Sequence, residues 1–253
     1  MLRTLNDLLG YDIQATDGEI GSVEDFLFDD RAWTIRYLVI DTGPWLFGRE
    51  VLISPQSIGK PSWEGGVLPV NLTQEQVENS PEVDLVEPVS QQEQEALHAH
   101  YGWQNYWTTL PTTALYGTAG LASPGAPIAA EGMPERAEPP GEPNLRSVAE
   151  VIGYDIQALD GEIGHVDDFI VDDEAWAIRY MVANTGNWLP GRNVLIALPW
   201  IKDISWELTE VQVDLLKENI KNSPPFDPAE SISLDYESRL HEHYDLPYYW
   251  GPH

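Results

Sequence analysis

Between Trp33 and Asp41 the side chains alternate. Trp33, Ile35, Tyr37 and Val39 share one face, and Thr34, Arg36, Leu38 and Ile40 share the other. Successive side chains of a strand point to opposite faces, so a period of two predicts a β-strand here. Apolar residues on both faces near its end mark a central strand, covered from two sides. The same reading places short strands over residues 11–15, 20–28 and 51–54. Thr16-Asp17-Gly18-Glu19 supplies an Asp-Gly turn of hairpin type, and Asp29-Asp30-Arg31-Ala32 supplies the next turn. Gly21 interrupts the second strand, which predicts a bulge or a tight bend. Helical signals flank this β region. One opens at Thr4 with Asp7 three residues on, one runs over residues 73–77, and one over residues 90–100 opens on a Ser90…Glu93 capping box.

The whole pattern occurs twice. YDIQATDGEIGSVEDFLFDDRAWTIRYLVIDTGPWLFGREVLI begins at Tyr11 and returns as YDIQALDGEIGHVDDFIVDDEAWAIRYMVANTGNWLPGRNVLI from Tyr154, an offset of 154 − 11 = 143 residues. The offset holds without a gap through Ser62 and Ser205, Asn79 and Asn222, and Leu97 and Leu240, to Tyr106-Trp107 and Tyr249-Trp250. Gly164 repeats Gly21, and Ser147 with Glu150 repeats the opening helical signal. A tandem duplication follows. Residues 1–107 form the first repeat and 144–253 the second. Residues 108–143, rich in Ala, Pro and Gly, form a linker, flexible but partly stiffened by proline. Five or six short strands per repeat cannot bury themselves as a flat sheet, and closure removes exposed edges. The expected fold is therefore mainly β, two small barrels in tandem, each followed by short helical segments.

Charge narrows the function classes. Forty-two acidic residues stand against thirteen basic ones, a formal net charge of −29. Such a surface repels nucleic-acid phosphate and anionic lipid, so neither nucleic-acid binding nor direct membrane insertion is expected. It suits either a salt-adapted exterior or a docking face for a basic protein partner. The start, MLRTLNDLLGYD, carries no basic stretch followed by an apolar one, and no run reaches the roughly 18 apolar residues of a spanning helix. The expected location is the cytoplasm, free or peripheral to a membrane complex. The chain has no Cys, which excludes disulfides, thiol nucleophiles and Cys-ligated metals.

Two constellations carry candidate chemistry. Trp45, Leu46 and Arg49 recur as Trp188, Leu189 and Arg192. A Trp anchor beside an Arg fork is typical of protein interfaces, and a patch present twice can pair with itself, between repeats or in a homodimer; the alternative is a loop Trp folded onto its own barrel with the Arg paired to a nearby acid. His98 and His100 recur as His241 and His243 near predicted helix ends. Four imidazoles could hold zinc or another divalent metal, or they could cap the helix C-termini. The adjacent carboxylates do not have calcium-loop spacing, the linker glycines open no helix, and no Ser or Thr sits in a nucleophile motif. The expectation is a chain that is not an enzyme.

The run DGEIGxVxDFxxDDxxWxIRYxVxxTGxWLxGRxVLI, present in both repeats, resembles the PRC-barrel family. That family is named for the cytoplasmic domain of the photosynthetic reaction-centre H subunit and recurs in a ribosome maturation factor. The resemblance implies a six-stranded barrel acting as a protein–protein adaptor. The chain lacks the H subunit's membrane helix and the maturation factor's other domain, so neither specific role carries over. The resemblance implies a non-catalytic assembly module, an adaptor on a larger photosynthetic or membrane-associated complex. A metal- or ligand-sensing module built on the four histidines is the alternative.

Overall fold

A computed structural model describes residues 1–85, 88–108, 145–186, 192–246 and 248. The expected linker lies, apart from Thr108, outside the described residues. The first repeat contains β1 (Leu2–Thr4), β2 (Asp12–Gln14), β3 (Glu19–Asp29), β4 (Thr34–Asp41), β5 (Glu50–Ile53), β6 (Val67–Pro69), α1 (Gln74–Glu78) and α2 (Gln91–Tyr101). The second contains β7 (Leu145–Ser147), α3 (Val148–Val151), β8 (Asp155–Ala158), β9 (Gly161–Asp172), β10 (Ala177–Asn184) and β11 (Asn193–Ala197). It continues with β12 (Ile201–Ser205), β13 (Glu210–Val213), α4 (Lys217–Asn222), β14 (Pro225–Phe226) and α5 (Leu234–Tyr244). The chain is mainly β with few helices, as its alternation predicts.

In each repeat the strands curl around a core. β2 pairs antiparallel with β3 and parallel with β6, and β8 pairs in the same way with β9 and β13. After β11 a 3-10 turn, Leu198–Trp200, bends the chain into β12, which pairs with β13. The first repeat turns the same corner through Pro55–Ser57 and meets β6 and its flank by the bridges Ile58↔Val70 and Ser62↔Val67. The β4 residues Ile35, Tyr37, Leu38, Val39 and Ile40 are all buried, whichever face they point to, so β4 is the central strand its sequence predicts. Trp33 is not part of it. Trp33 and Trp176 adopt left-handed backbone (φ 49° and 53°) and close the preceding turn. The Asp29 side chain tightens that turn by accepting from the Arg31 and Ala32 amides, each at 3.0 Å. The capping boxes at Thr73 and Ser90 both form.

Gly21 and Gly164 mark the expected bend. A Cβ on either would lie 2.0 Å from a backbone oxygen, that of Asp41 or Asn184. The paired strand, β4 or β10, therefore approaches closer than any side chain permits.

The chain start departs from the sequence reading. The helical signals at Thr4 and Ser147 are real, since their hydroxyls accept from the Asp7 and Glu150 amides. Each follows a short strand, however, and that strand pairs with the other repeat. β2 covers only the Glu19–Ser22 portion of β3. Further along the same strand, β7 of the second repeat pairs Leu145 with Asp29, Arg146 with Phe28 and Ser147 with Leu27. β1 does the same to β9, pairing Leu2 with Asp172, Arg3 with Val171 and Thr4 with Ile170. Between the two exchanges β4 meets β10 at Thr34↔Ala177. There the Ile35 amide donates to the Trp176 carbonyl and the Ile178 amide to the Trp33 carbonyl, both at 2.8 Å. Each contact has its counterpart 143 residues away, so a pseudo-two-fold axis passes between Thr34 and Ala177. Each arm turns back to its own repeat at a left-handed glycine, Gly10 (φ 76°) or Gly153 (φ 90°).

Replacing Gly21 or Gly164 by Ala forces β3 from β4, or β9 from β10, and is expected to cost about 3 kcal/mol or more. Denaturant unfolding measures it, and a loss below about 1 kcal/mol contradicts the close approach.

Candidate functional site

The seam between the repeats holds paired charges. The Arg3 Nε donates to Asp173 Oδ2 at 2.8 Å, and its guanidinium carbon lies 3.8 Å from the centre of the Trp63 ring. The Met1 ammonium meets the other Asp173 oxygen at 2.5 Å. On the opposite side Arg146 stands 3.6 Å from Asp30 and 4.1 Å from the Trp206 ring centre. Each arm thus inserts an arginine between an indole of its own repeat and a carboxylate of the other. Stacking over an indole is worth roughly 1 kcal/mol. The Asp173 side chain is only 6% exposed, so salt screens its ion pair little, and removing Arg3 would leave a buried carboxylate without its partner.

A second pair of carboxylates receives the arm amides. Asp168 accepts from the Asn6 amide at 3.2 Å and from its neighbour Phe169 at 2.7 Å. Asp25 accepts from the Ala149 amide at 3.0 Å and from the Ser147 hydroxyl at 2.5 Å. Asn6 and Ala149 are equivalent positions, so each arm anchors its first helical turn on the other repeat's acid. Burial pushes the Asp168 pKa up to about 7, against the opposing pull of the Phe169 and Asn6 amides. Burial raises Asp25 as well.

The Trp-Arg loops sit elsewhere. Trp45 and Leu46 lie in or at the end of a 3-10 turn, half-buried against their own core. Arg49 donates to the Glu78 carbonyl at 3.1 Å and to the Ser80 carbonyl and hydroxyl at 2.6 Å, fixing the loop to the end of α1. Arg192 donates to the Lys221 carbonyl at 2.8 Å and to the Ser223 carbonyl. Both arginines thus serve the interior of one repeat. Trp188 and Leu189 lie outside the described residues. The exposed aromatic of this loop is its neighbour Phe47, 99% accessible and left-handed (φ 58°). It stands two residues beyond Trp45, which walls a cleft of about 360 Å³ also lined by Asp12, Glu19 and Asp41. Close by, burial and the charges of Glu50 and Asp41 raise the Glu24 pKa.

The four histidines fall into two equivalent pairs. His98 and His241 are buried, with Nε2 2.8 Å from the hydroxyls of Tyr37 and Tyr180. Gln94 completes the first network and Glu237 the second, tying α2 to β4 and α5 to β10. His100 and His243 place Nε2 2.7 Å from the carbonyl oxygens of Gln76 and Asn219, so they clamp α1 and α4 rather than capping their own helices. Among the described residues no three His, Asp or Glu side chains gather as a metal would need. The aromatic tail of the first repeat also folds inward. The Trp103 indole donates to the Ser57 hydroxyl at 2.7 Å, and Arg36 stacks 3.9 Å from the Tyr106 ring centre. Among the described residues no helix is long and apolar enough to cross a membrane.

The seam residues gave a faint signal in the sequence. Leu-Arg at 2–3 and 145–146 repeats at the 143-residue offset, as does Trp63 with Trp206. Comparison with known families finds the PRC-barrel domain twice, over residues 2–75 and 143–220, together more than half of the chain. Both matches take in the exchanged arms. No curated protein matches the chain.

A carboxyl whose pKa is raised by folding favours the fold in acid, and that contribution is lost as pH rises through its folded value. Between pH 5 and 8 the chain is therefore expected to lose about 2 kcal/mol more than its Asp168→Asn variant, which cannot ionise there. Parallel stability profiles for the two proteins contradict this account of Asp168.

Proposed function

The chain belongs to the PRC-barrel family, and from that premise we propose that it is a non-catalytic assembly module in which two barrels complete one another. PRC-barrel domains occur in protein-interaction and assembly modules. The observation that carries the reading is the reciprocal exchange of β1 and β7. An exchanged strand converts a sheet edge into an interface and gives the pair the symmetry of an isologous dimer within one chain. The seam is thereby occupied from inside, which leaves the outward loops for other proteins. On the first repeat those loops offer exposed Phe47 beside the cleft of Asp12, Glu19 and Asp41. Acids that raise one another's pKa are relieved by a cation, so this end suits a basic partner that also presents an apolar group. In this reading the chain is an adaptor, and the four histidines support the helices rather than a metal.

The test is the second repeat alone, residues 144–253. It keeps its own arm and loses the edge that the arm covers, so light scattering is expected to give twice the fragment's mass, with arms exchanged between two copies. A fragment that is folded and monomeric contradicts the proposal, because the barrel would then need no completion.

A further inference from the structure

The two repeats are not equivalent everywhere, and the largest change in charge falls in one place. Between α4, the Ser223–Pro225 segment and the last turns of α5 lies a groove of about 640 Å³. Arg192, Lys221, Arg239 and His243 line it, and Glu242 is its one acid, so the lining carries 3 − 1 = +2 without the imidazole. The equivalent positions of the first repeat hold Arg49, with Glu78 for Lys221, Ala96 for Arg239, Ala99 for Glu242, and Glu82 for Pro225. Their sum is 1 − 2 = −1. The fold does not require the change, because His100 and Arg49 make the same internal bonds on the first repeat that His243 and Arg192 make on the second. Lys221 and Arg239 are both exposed. The bond of Arg239 to Asp235 (3.4 Å) joins side chains 59% and 85% accessible, and exposed pairs of this kind hold a guanidinium weakly.

We infer that this groove is a docking site for a short acidic segment of a partner protein, with Lys221 and Arg239 as its recognition charges. The reasoning is one of range. Within a Debye length, about 8 Å in physiological salt, a carboxylate-rich peptide feels the lining together with Asp235, the partner of Arg239, a local charge of 3 − 2 = +1 against −1 on the first repeat. An extended polyanion such as duplex DNA or an anionic membrane also meets the surrounding surface of a chain whose net charge is −29, and is repelled. The inference rests on the reading of the chain as an adaptor but not on the strand exchange. It gives the adaptor two unlike ends, acidic and aromatic on one repeat, basic on the other.

The experiment titrates the full chain into a fluorescein-labelled oligoglutamate peptide and reads anisotropy at about 50 mM and about 300 mM salt. One peptide is expected to bind per chain, and binding should weaken as salt rises. The double variant K221E/R239A, which installs the residues of the first repeat, is expected to weaken binding about tenfold or more while its melting temperature and mass stay unchanged. The reverse transplant, E78K/A96R, is expected to create a second site and raise the stoichiometry to two. Binding that survives K221E/R239A overturns the assignment. So does tighter binding of a DNA duplex or of phosphatidylserine vesicles than of the peptide. The groove is tested on the full chain and the strand exchange on the fragment of residues 144–253, so failure of the groove and failure of the assembly reading are separate results.

Discussion

A half-covered strand edge governs this molecule. β3 and β9 are long because they must span both the turn region and the barrel seam, while β2 and β8 are short and cover only one part of them. Unpaired backbone amides and carbonyls on an edge invite another chain. Here the invited strand is supplied by the neighbouring repeat, which places β7 on β3 and β1 on β9. The remaining seam contacts follow from that choice. Arg3 and Arg146 alternate with the arm residues that bury, so they meet Asp173 and Asp30 across the axis. The first amides of each arm helix then arrive at Asp168 and Asp25.

Duplication sets the symmetry, and divergence sets the two repeats apart. Buried positions of the two repeats keep their roles even where residues differ, as Gln94 and Glu237 show beside the same Tyr–His pair. Exposed positions differ instead. Phe47 stands exposed on one repeat, and Lys221 and Arg239 stand exposed on the other. A symmetric pair of barrels offers the same face twice, whereas an adaptor between unlike partners needs two different faces.

The β elements were legible because alternation reports burial directly, and the caps were legible because a hydroxyl three residues before an acid satisfies orphan amides. Pairing partners were not, since periodicity says that a residue is in a strand and not which strand lies beside it. Leu2-Arg3-Thr4 is too short to read by period and was hidden behind the helical signal at Thr4. The spacing of Trp45 and Arg49 shows a constellation but not its internal bonds, because the Glu78 and Ser80 carbonyls that accept from the two Arg49 Nη groups are distant in sequence. His98 shares a helix face with Gln94, Leu97 and Tyr101, all buried. Polar members on that face concealed its role as core, which only its contact with Tyr37 reveals.

Residues near a chain start fray by default, so protection there is the sharpest sign that the first strand is bound. Native-state hydrogen exchange of the β1 and β7 amides, followed as denaturant is raised, tests the exchange directly. The account predicts that the hydrogen-bonded amides in Leu2–Thr4 and Leu145–Ser147 open only with global unfolding, together with those of β4. Fast exchange at β1 and β7, insensitive to denaturant while β4 stays protected, would contradict it.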